Sequence, residues 1–238
     1  AVPLGNGLMG GLLWGGGNTI RLSLDRGDLW DERPAVGIQT NQFNWHEIKR
    51  LVAGGKAAEA NAILDFPYNQ AHPTKLPGGR LEITLPPSVK IMGFELNLAA
   101  AEGYAWLEDG RKVEVLFSAD QPVAIIRLPG KIEKRRLTTP FDGAGNESAG
   151  PSSHAAKALN YKAAEFSEEK DLYWYVQEAA LGFKYCVCTA QKSAEDSTTI
   201  AVAITATTDG ENFVELARKR ARKAVERAKG ILMDRFDL

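Results

Sequence analysis

The stretch that decides the fold is residues 12–24, which read LLWGGGNTIRLSL. Its second half alternates apolar and polar side chains, with Ile20, Leu22 and Leu24 at a period of two, as in a strand with one buried face. Its first half is apolar and ends in three consecutive glycines, which suit a tight reversal of the backbone. The stretch therefore predicts a β-hairpin that turns at residues 15–17.

The same period of two returns along most of the chain. It is present at Leu81, Ile83 and Leu85, at Phe94, Leu96 and Leu98, at Val113, Val115 and Phe117, at Val123 and Ile125, at Phe183, Tyr185 and Val187, and at Ile200, Val202 and Ile204. Between two of these segments, an Asp-Gly pair at 109–110 suits a tight hairpin turn. The pattern predicts a mainly β protein with ten or more antiparallel strands.

Two segments depart from this alternation. From Trp45 to Leu64 the apolar residues have helical spacing that is interrupted by Gly54-Gly55, which predicts two short helices or one kinked helix. From Phe213 to Ala228 the apolar residues form a single stripe, which predicts a helix of about four turns. The members of that stripe are Phe213, Leu216, Ala217, Ala221, Ala224, Val225 and Ala228.

Charge and composition exclude several classes of partner. The 238 residues carry 29 Lys and Arg against 30 Asp and Glu, so no overall field attracts nucleic acid or a membrane surface. Residues 211–238 hold eight basic and five acidic residues, but charge runs on a helix are usually a solvated face, and no aromatic stacking platform accompanies them. No apolar run approaches the roughly 20 residues that cross a bilayer. The first residue is Ala1, and no signal peptide is recognisable after it.

Few residues indicate metal or cofactor chemistry. His46, His72 and His154 lie far apart, without a second ligand at helical or hairpin spacing, so no metal site is predicted. Cys186 and Cys188 lie two apart in a strand pattern and are predicted to be small core residues. The GNGLMG run at 5–10 fits a dinucleotide-binding pattern formally, but it neither follows a visible strand nor opens an amphipathic helix. No cofactor is therefore expected.

Four carboxylates cluster around Leu29-Trp30, and they allow two interpretations. The members are Asp25, Asp28, Asp31 and Glu32. Tryptophan beside carboxylates is one way to hold a sugar, since the ring covers an apolar sugar face while the carboxylates accept from hydroxyls. The other interpretation is a charged turn between strands, with Trp30 anchored in the core.

A family resemblance enters at these same residues. The runs PLGNG at 3–7, Gly10, WGG at 14–16 and LW at 29–30 together resemble the N-terminal domain of family 95 glycoside hydrolases, the α-L-fucosidase-like enzymes. The agreement continues through residues 47–51 and 54–60, which resemble a helical segment of that family, and through 94–98, 115–118 and 122–123, which resemble its paired strands. The resemblance covers most of residues 3–230.

The resemblance implies an antiparallel β-super-sandwich at residues 1–210, followed by a helical linker at 211–238 toward an (α/α)6 catalytic barrel of the same polypeptide. The barrel is expected to lie outside this chain and to carry the catalytic residues, so none is assigned here. The apolar stripe of the linker helix would then have lost part of its partner. The resemblance favours a periplasmic or extracellular location and a carbohydrate ligand, with Asn6, Asp28, Trp30 and His46 facing the sugar or the barrel.

The chain departs from the family pattern at residues 25–28, which read DRGD where relatives commonly carry Asn-Glu-Asp-Thr. The sugar specificity is therefore expected to differ if this loop faces the barrel. Two alternatives remain. One is an autonomous carbohydrate-binding module, which needs an exposed platform among Trp14, Trp30, Trp106 and Trp174. The other is a self-contained glycosidase that uses Asp25 with Asp28 or Asp31.

Overall fold

The computed structural model describes residues 1–141 and 158–227. Within those ranges the chain forms two main antiparallel sheets, which confirms the predicted mainly β, sandwich-like fold with two short helices and a C-terminal helix. The strands are β1 Val2–Gly5, β2 Met9–Gly16, β3 Thr19–Arg26, β4 Trp30–Asp31, β5 Thr74–Lys75, β6 Arg80–Thr84, β7 Ile91–Asn97, β8 Glu102–Leu107, β9 Lys112–Phe117, β10 Val123–Pro129, β11 Lys134–Thr138, β12 Glu165–Glu169, β13 Leu172–Glu178, β14 Lys184–Ser193 and β15 Ser197–Ala206. The helices are α1 Trp45–Ala53, α2 Ala57–Asp65 and α3 Phe213–Arg227.

The smaller sheet has the strand order β1-β2-β3-β6-β11, and the larger has the order β12-β13-β14-β15-β10-β9-β8-β7. The hairpin predicted from residues 12–24 is the β2–β3 pair, with Gly16 opposite Thr19. Gly15 and Gly17 both have positive φ, and a Cβ at Gly15 would lie 2.2 Å from the carbonyl oxygen of Thr19. Only glycine therefore allows the strands to close at this point.

The main core lies between the two sheets and follows the predicted alternation. Ile20, Leu22 and Leu24 of β3 are buried there, as are Leu81 and Ile83 of β6. The larger sheet contributes residues such as Val113, Val115, Val187 and Val202 from its inner face. Since alternate side chains of a strand point to opposite faces, the period of two identified most of this core. Leu98 is an exception, because it lies 82% exposed beyond the end of β7, and Val123 and Ile125 belong to the outer face instead.

A second core lies on the outer face of the larger sheet. Most of the stripe of α3 has a partner within this chain: Ala217 and Ala221 are fully buried against that face, together with Phe213, Ala224 and Val225. Leu216 is half-buried, and Ala228 lies outside the described residues. The sheet side of this contact includes Cys186 and Cys188, both buried and free. Burial raises the pKa of both thiols, that of Cys188 to about 12, so they act as small core residues as predicted.

The short helices belong to one excursion from the smaller sheet. β4 and β5 pair at its base, with Trp30 opposite Lys75, so residues 32–73 leave and return at the same point. Asn44 caps α1 by accepting from the backbone N–H of Glu47, and Gly55, at positive φ, separates α1 from α2. In the described ranges, none of the helices is long and apolar enough to cross a membrane.

The packing of α3 gives a stability prediction. Replacing Ala217 with leucine adds three carbons where the helix touches the sheet, so we expect the free energy of unfolding to fall by about 1–3 kcal/mol. Urea denaturation measures this loss. Lys219→Leu is the matched control, because Lys219 is exposed on the same helix, and its effect should stay within about 0.5 kcal/mol. Equal effects of the two changes would contradict the observed packing.

Candidate functional site

The acidic stretch lies where the open end of the β2–β3 hairpin meets the β1–β2 turn. The backbone N–H of Gly27 donates to the carbonyl of Leu8 at 2.8 Å, and the indole N–H of Trp30 donates to the carbonyl of Gly27 at 3.0 Å. We call residues 6–8, 25–31 and Lys75 the Trp30 edge. Trp30 is 43% exposed there, so it is not the core anchor that one interpretation of the sequence expected. Its ring is available to a ligand or to a neighbouring domain.

Asn6 connects this edge to a neighbouring loop. Its side-chain carbonyl accepts from the backbone N–H groups of Leu8 and Met9, at 3.0 and 2.8 Å. Its amide donates to the carbonyls of Ser118 and Gln121, at 2.6 and 2.8 Å, which ties the β1–β2 turn to the β9–β10 loop. An asparagine side chain offers two donors and two acceptor positions, and all four are used within the chain. Asn6 therefore positions the edge and has no spare hydrogen bond for a sugar hydroxyl.

Asp28 belongs to a charge network around a buried arginine. Arg26 is only 4% exposed, and its guanidinium contacts Asp28 at 2.8 Å, donates to the carbonyl of Ile204 at 3.1 Å and bonds Asp209. Thr208 also donates to Asp28 at 3.0 Å. Burial raises the pKa of Asp209, but the hydrogen bonds from Arg26 and from the backbone N–H of Ala206 lower it by more, so the net shift is downward. Both carboxylates compensate the buried guanidinium.

Asp25 is paired as well. Lys75, from the strand opposite Trp30, places its ammonium 2.5 Å from the Asp25 carboxylate and equally close to the carbonyl of Arg26. Asp25 also accepts from the backbone N–H of Arg26 at 2.7 Å. This exposed pair joins the end of β3 to β5, and it places one cation beside the tryptophan.

Asp31 forms the most tightly bonded cluster, and sequence reasoning missed its partners. Arg33 donates to both carboxylate oxygens at 2.6–3.0 Å, and the hydroxyl of Tyr161 donates to the same carboxylate. Burial raises the pKa of Asp31, but these hydrogen bonds outweigh it and hold the pKa at about 2. Arg33 lies two residues away and was available as a signal. Tyr161 lies 130 residues away in sequence, and no pattern marks it.

Within the described residues, His46 makes no bond that would join it to the other three predicted site residues. It lies exposed in the first turn of α1, and among the described residues it makes no hydrogen bond or ion pair with Asn6, Asp28 or Trp30. Its neighbour Trp45 is 72% exposed. The structure therefore brings Asn6, Asp28 and Trp30 to one edge, while His46 lies on the excursion that begins beyond that edge. His154 lies outside the described residues.

The four tryptophans considered for a binding platform differ in their cover. Arginines lie over the rings of the two half-buried ones: Arg21 and Arg80 lie 5.1 and 5.7 Å from the Trp14 ring, and Arg218 lies 4.8 Å from that of Trp174. Trp30 and Trp106 are exposed. None of the four is fully buried, so the binding-module alternative still has exposed rings available in Trp30 and Trp106.

A comparison with family profiles decides the class of protein. The profile of glycosyl hydrolase family 65, N-terminal domain, matches residues 1–212 and so spans every strand of both main sheets. The chain belongs to this family. The predicted relation to a glycoside hydrolase N-terminal domain is thus confirmed, while the match does not single out family 95. A comparison with curated proteins gives no match.

In this family 65 N-terminal domain, the Trp30 edge combines aromatic, cationic and anionic side chains. Among residues 1–141 and 158–227, no group of three or more His, Cys, Asp and Glu is placed to hold a metal ion. The edge offers an exposed aromatic ring, a lysine and carboxylates that form ion pairs with neighbouring cations. The carboxylates can accept hydrogen bonds from sugar hydroxyls or from a neighbouring domain, the lysine can donate one, and the ring can cover an apolar surface.

The Asp31 cluster predicts a pH dependence of stability. Because the pKa of Asp31 is lowered from 3.8 to about 2 on folding, its contribution is fully present above about pH 4 and is lost as the pH falls through 2. The shift corresponds to about 2–3 kcal/mol. We expect the stability difference between the unmodified domain and Asp31→Asn, measured by chemical denaturation, to shrink by that amount over this range.

The matched control is Glu195→Gln, since Glu195 is exposed and forms no ion pair among the described residues. Its stability difference should stay constant as the pH falls. A difference for Asp31→Asn that is equally constant would show that the carboxylate gains nothing from Arg33 and Tyr161 on folding.

Proposed function

We propose that this chain is the non-catalytic N-terminal domain of an enzyme that hydrolyses α-L-fucosidic or related α-L-glycosidic bonds. The catalytic acid and the base that activates water lie in an (α/α)6 barrel of the same polypeptide. In this arrangement the Trp30 edge faces the barrel or its sugar and shapes the site without taking part in bond cleavage. Membership of a glycosyl hydrolase N-terminal domain family supports the general role, and the family 95 motifs at residues 3–7, 14–16 and 29–30 support the fucosidic one.

One observation carries the non-catalytic assignment: every aspartate of the acidic stretch is already paired with a cation. Asp25 pairs with Lys75, Asp28 with Arg26 and Asp31 with Arg33. Glycoside hydrolysis needs one carboxylic acid that is protonated in the free enzyme, so that it can donate its proton to the leaving-group oxygen. The pKa of Asp31 is shifted in the opposite direction, to about 2. These contacts oppose a self-contained glycosidase that uses this stretch.

The proposed domain boundary lies between residues 210 and 211. The segment from 211 contains α3, which packs on the outer face of the larger sheet, so the linker toward the barrel begins as a docked helix. Residues 228–238 of the proposed linker lie outside the described residues. The DRGD stretch at 25–28 is the proposed source of altered sugar specificity, because Arg26 is drawn inward and fixes Asp28 beside Trp30.

The assignment is tested with aryl α-L-fucoside and aryl α-L-galactoside as substrates. We expect no turnover by residues 1–238 alone, and turnover with inversion at the anomeric carbon by the polypeptide that includes the barrel, as followed by NMR of the released sugar. Turnover by the isolated chain would overturn the accessory role. A complete enzyme that cleaves neither substrate would overturn the proposed specificity and leave the accessory role standing.

The role of the edge is tested by Trp30→Ala in the complete enzyme. If the ring contacts sugar, kcat/KM should fall by about threefold to tenfold, the equivalent of one aromatic contact. Trp106→Ala is the matched control, because Trp106 is similarly exposed but lies on the outer face of the larger sheet, where its indole N–H donates to Glu95 at 2.8 Å. Equal losses in both variants would contradict a specific role for the Trp30 edge.

A second candidate function, an autonomous carbohydrate-binding module, is favoured by that outer face. Tyr104 and Trp106 pack edge to face there at 6.2 Å, and the ammonium of Lys112 lies 3.7 Å from the Tyr104 ring. Tyr104 is buried, and Trp106 is the exposed ring of this pair. An exposed aromatic ring beside charged hydrogen-bonding groups is one component of a sugar site. Under this alternative, the isolated chain binds neutral oligosaccharides, and Trp106→Ala weakens that binding where Trp30→Ala does not.

A further inference from the structure

A basic cleft lies at the side of the sandwich, away from the residues assigned to sugar hydrolysis. It is a cavity of about 370 Å³ between β11, the last strand of the smaller sheet, and the β12–β13 hairpin at the edge of the larger sheet. Its cationic lining comprises Lys134, Arg135, Arg136 and Lys170, with Glu168 and Tyr173 completing the wall. This volume lies within the range of small-molecule sites.

The cations of the cleft outnumber the carboxylates that face it in the described part of the chain. Within residues 1–141 and 158–227, none of the four forms an ion pair with a carboxylate. Glu168 is the one acidic side chain of the lining, so the cleft has a local charge of +3 in a protein whose net charge is −1. Like charges held together repel one another unless a counter-charge is present.

A missing ion pair matters most for Arg135, because it is half-buried while the other three cations are exposed. Both terminal nitrogens of its guanidinium donate to the backbone carbonyl of Asp171, each at 3.2 Å, while the Asp171 carboxylate lies 3.8 Å from Arg222 of α3. The guanidinium is thus fixed by a neutral acceptor at the join between the sheets. Burial lowers the pKa of Arg135, although the charges of Asp171 and Glu168 act in the opposite direction, so the loss of hydration outweighs the carboxylates nearby.

We propose that the basic cleft binds an oxyanion: a sulfate, phosphate or carboxylate group, either as a free inorganic ion or as a substituent of a saccharide. Arg135 supplies a planar donor that is already oriented, and Arg136 and Lys170 supply exposed charges at the rim. Arginine and lysine together are the usual ligands of such groups, through paired N–H donors and through point charge. This binding goes beyond the proposed hydrolytic role and does not depend on it.

The proposal is tested by titration calorimetry of residues 1–238 at low ionic strength, where exposed charges are least screened. The probes are inorganic sulfate, a sulfated disaccharide and the same disaccharide without sulfate. We expect binding of the first two and none of the third. The double variant Arg136→Gln/Lys170→Gln should weaken the affinity by about tenfold or more. Both of its positions are exposed, so the fold should be retained.

The matched control is Lys49→Gln/Lys219→Gln, which removes the same charge from two exposed positions that do not line the cleft. Its affinity should change by less than about twofold. Arg135→Gln is a further variant, to be used if its melting temperature shows a folded chain. Equal affinity for sulfate and for the sulfated disaccharide supports a free oxyanion, and tighter binding of the disaccharide supports a saccharide substituent. No binding of either, or equal losses in the two double variants, would overturn the proposal.

Discussion

The structure depends on the burial of both faces of the central strands of the larger sheet. In β14, Tyr185 and Val187 point into the sandwich while Cys186 and Cys188 point to the other side, and all four are fully buried. One layer cannot cover both faces of a strand. The smaller sheet covers the inner face and α3 covers the outer one, so the helix is a third layer of the same packed unit.

This two-sided burial also explains what the sequence could predict. A strand with only one fully buried face, such as β3 with Ile20, Leu22 and Leu24, is recognisable in the sequence because apolar and polar residues alternate. The glycines at 15–17 locate the hairpin turn. The helical stripe from Phe213 was equally readable. Its partner was not, because a stripe shows that one face of a helix is covered without showing what covers it. The packing of α3 on the larger sheet is therefore a contact between elements, which the sequence of the helix alone did not predict.

The Trp30 edge was predictable in its residue types and not in its bonding. The cluster of carboxylates beside Trp30 is visible in the sequence, and it permitted both a sugar site and a charged turn. The structure combines features of both, since the ring is exposed while the acids are paired. The pairing of the acids depends on two distant contacts. Arg26 bonds Asp209, about 180 residues further along the chain, and Asp31 accepts from Tyr161, 130 residues further along. Contacts at such separations are set by the fold and leave no local pattern.

The charges of this molecule fall into two groups with different physical meaning. The arginines of α3 meet carboxylates of the strands and loops, as in the pairs Arg218–Glu169 and Arg222–Asp171, and the aspartates of the Trp30 edge meet their own cations. Such pairs balance charges within the fold and need no external counter-ion. A partly buried charge that its own chain leaves uncompensated is costly. Arg135 is half-buried without an ion pair among the described residues, and four cations share its cleft with one carboxylate, so an external anion is the group that would relieve the excess charge.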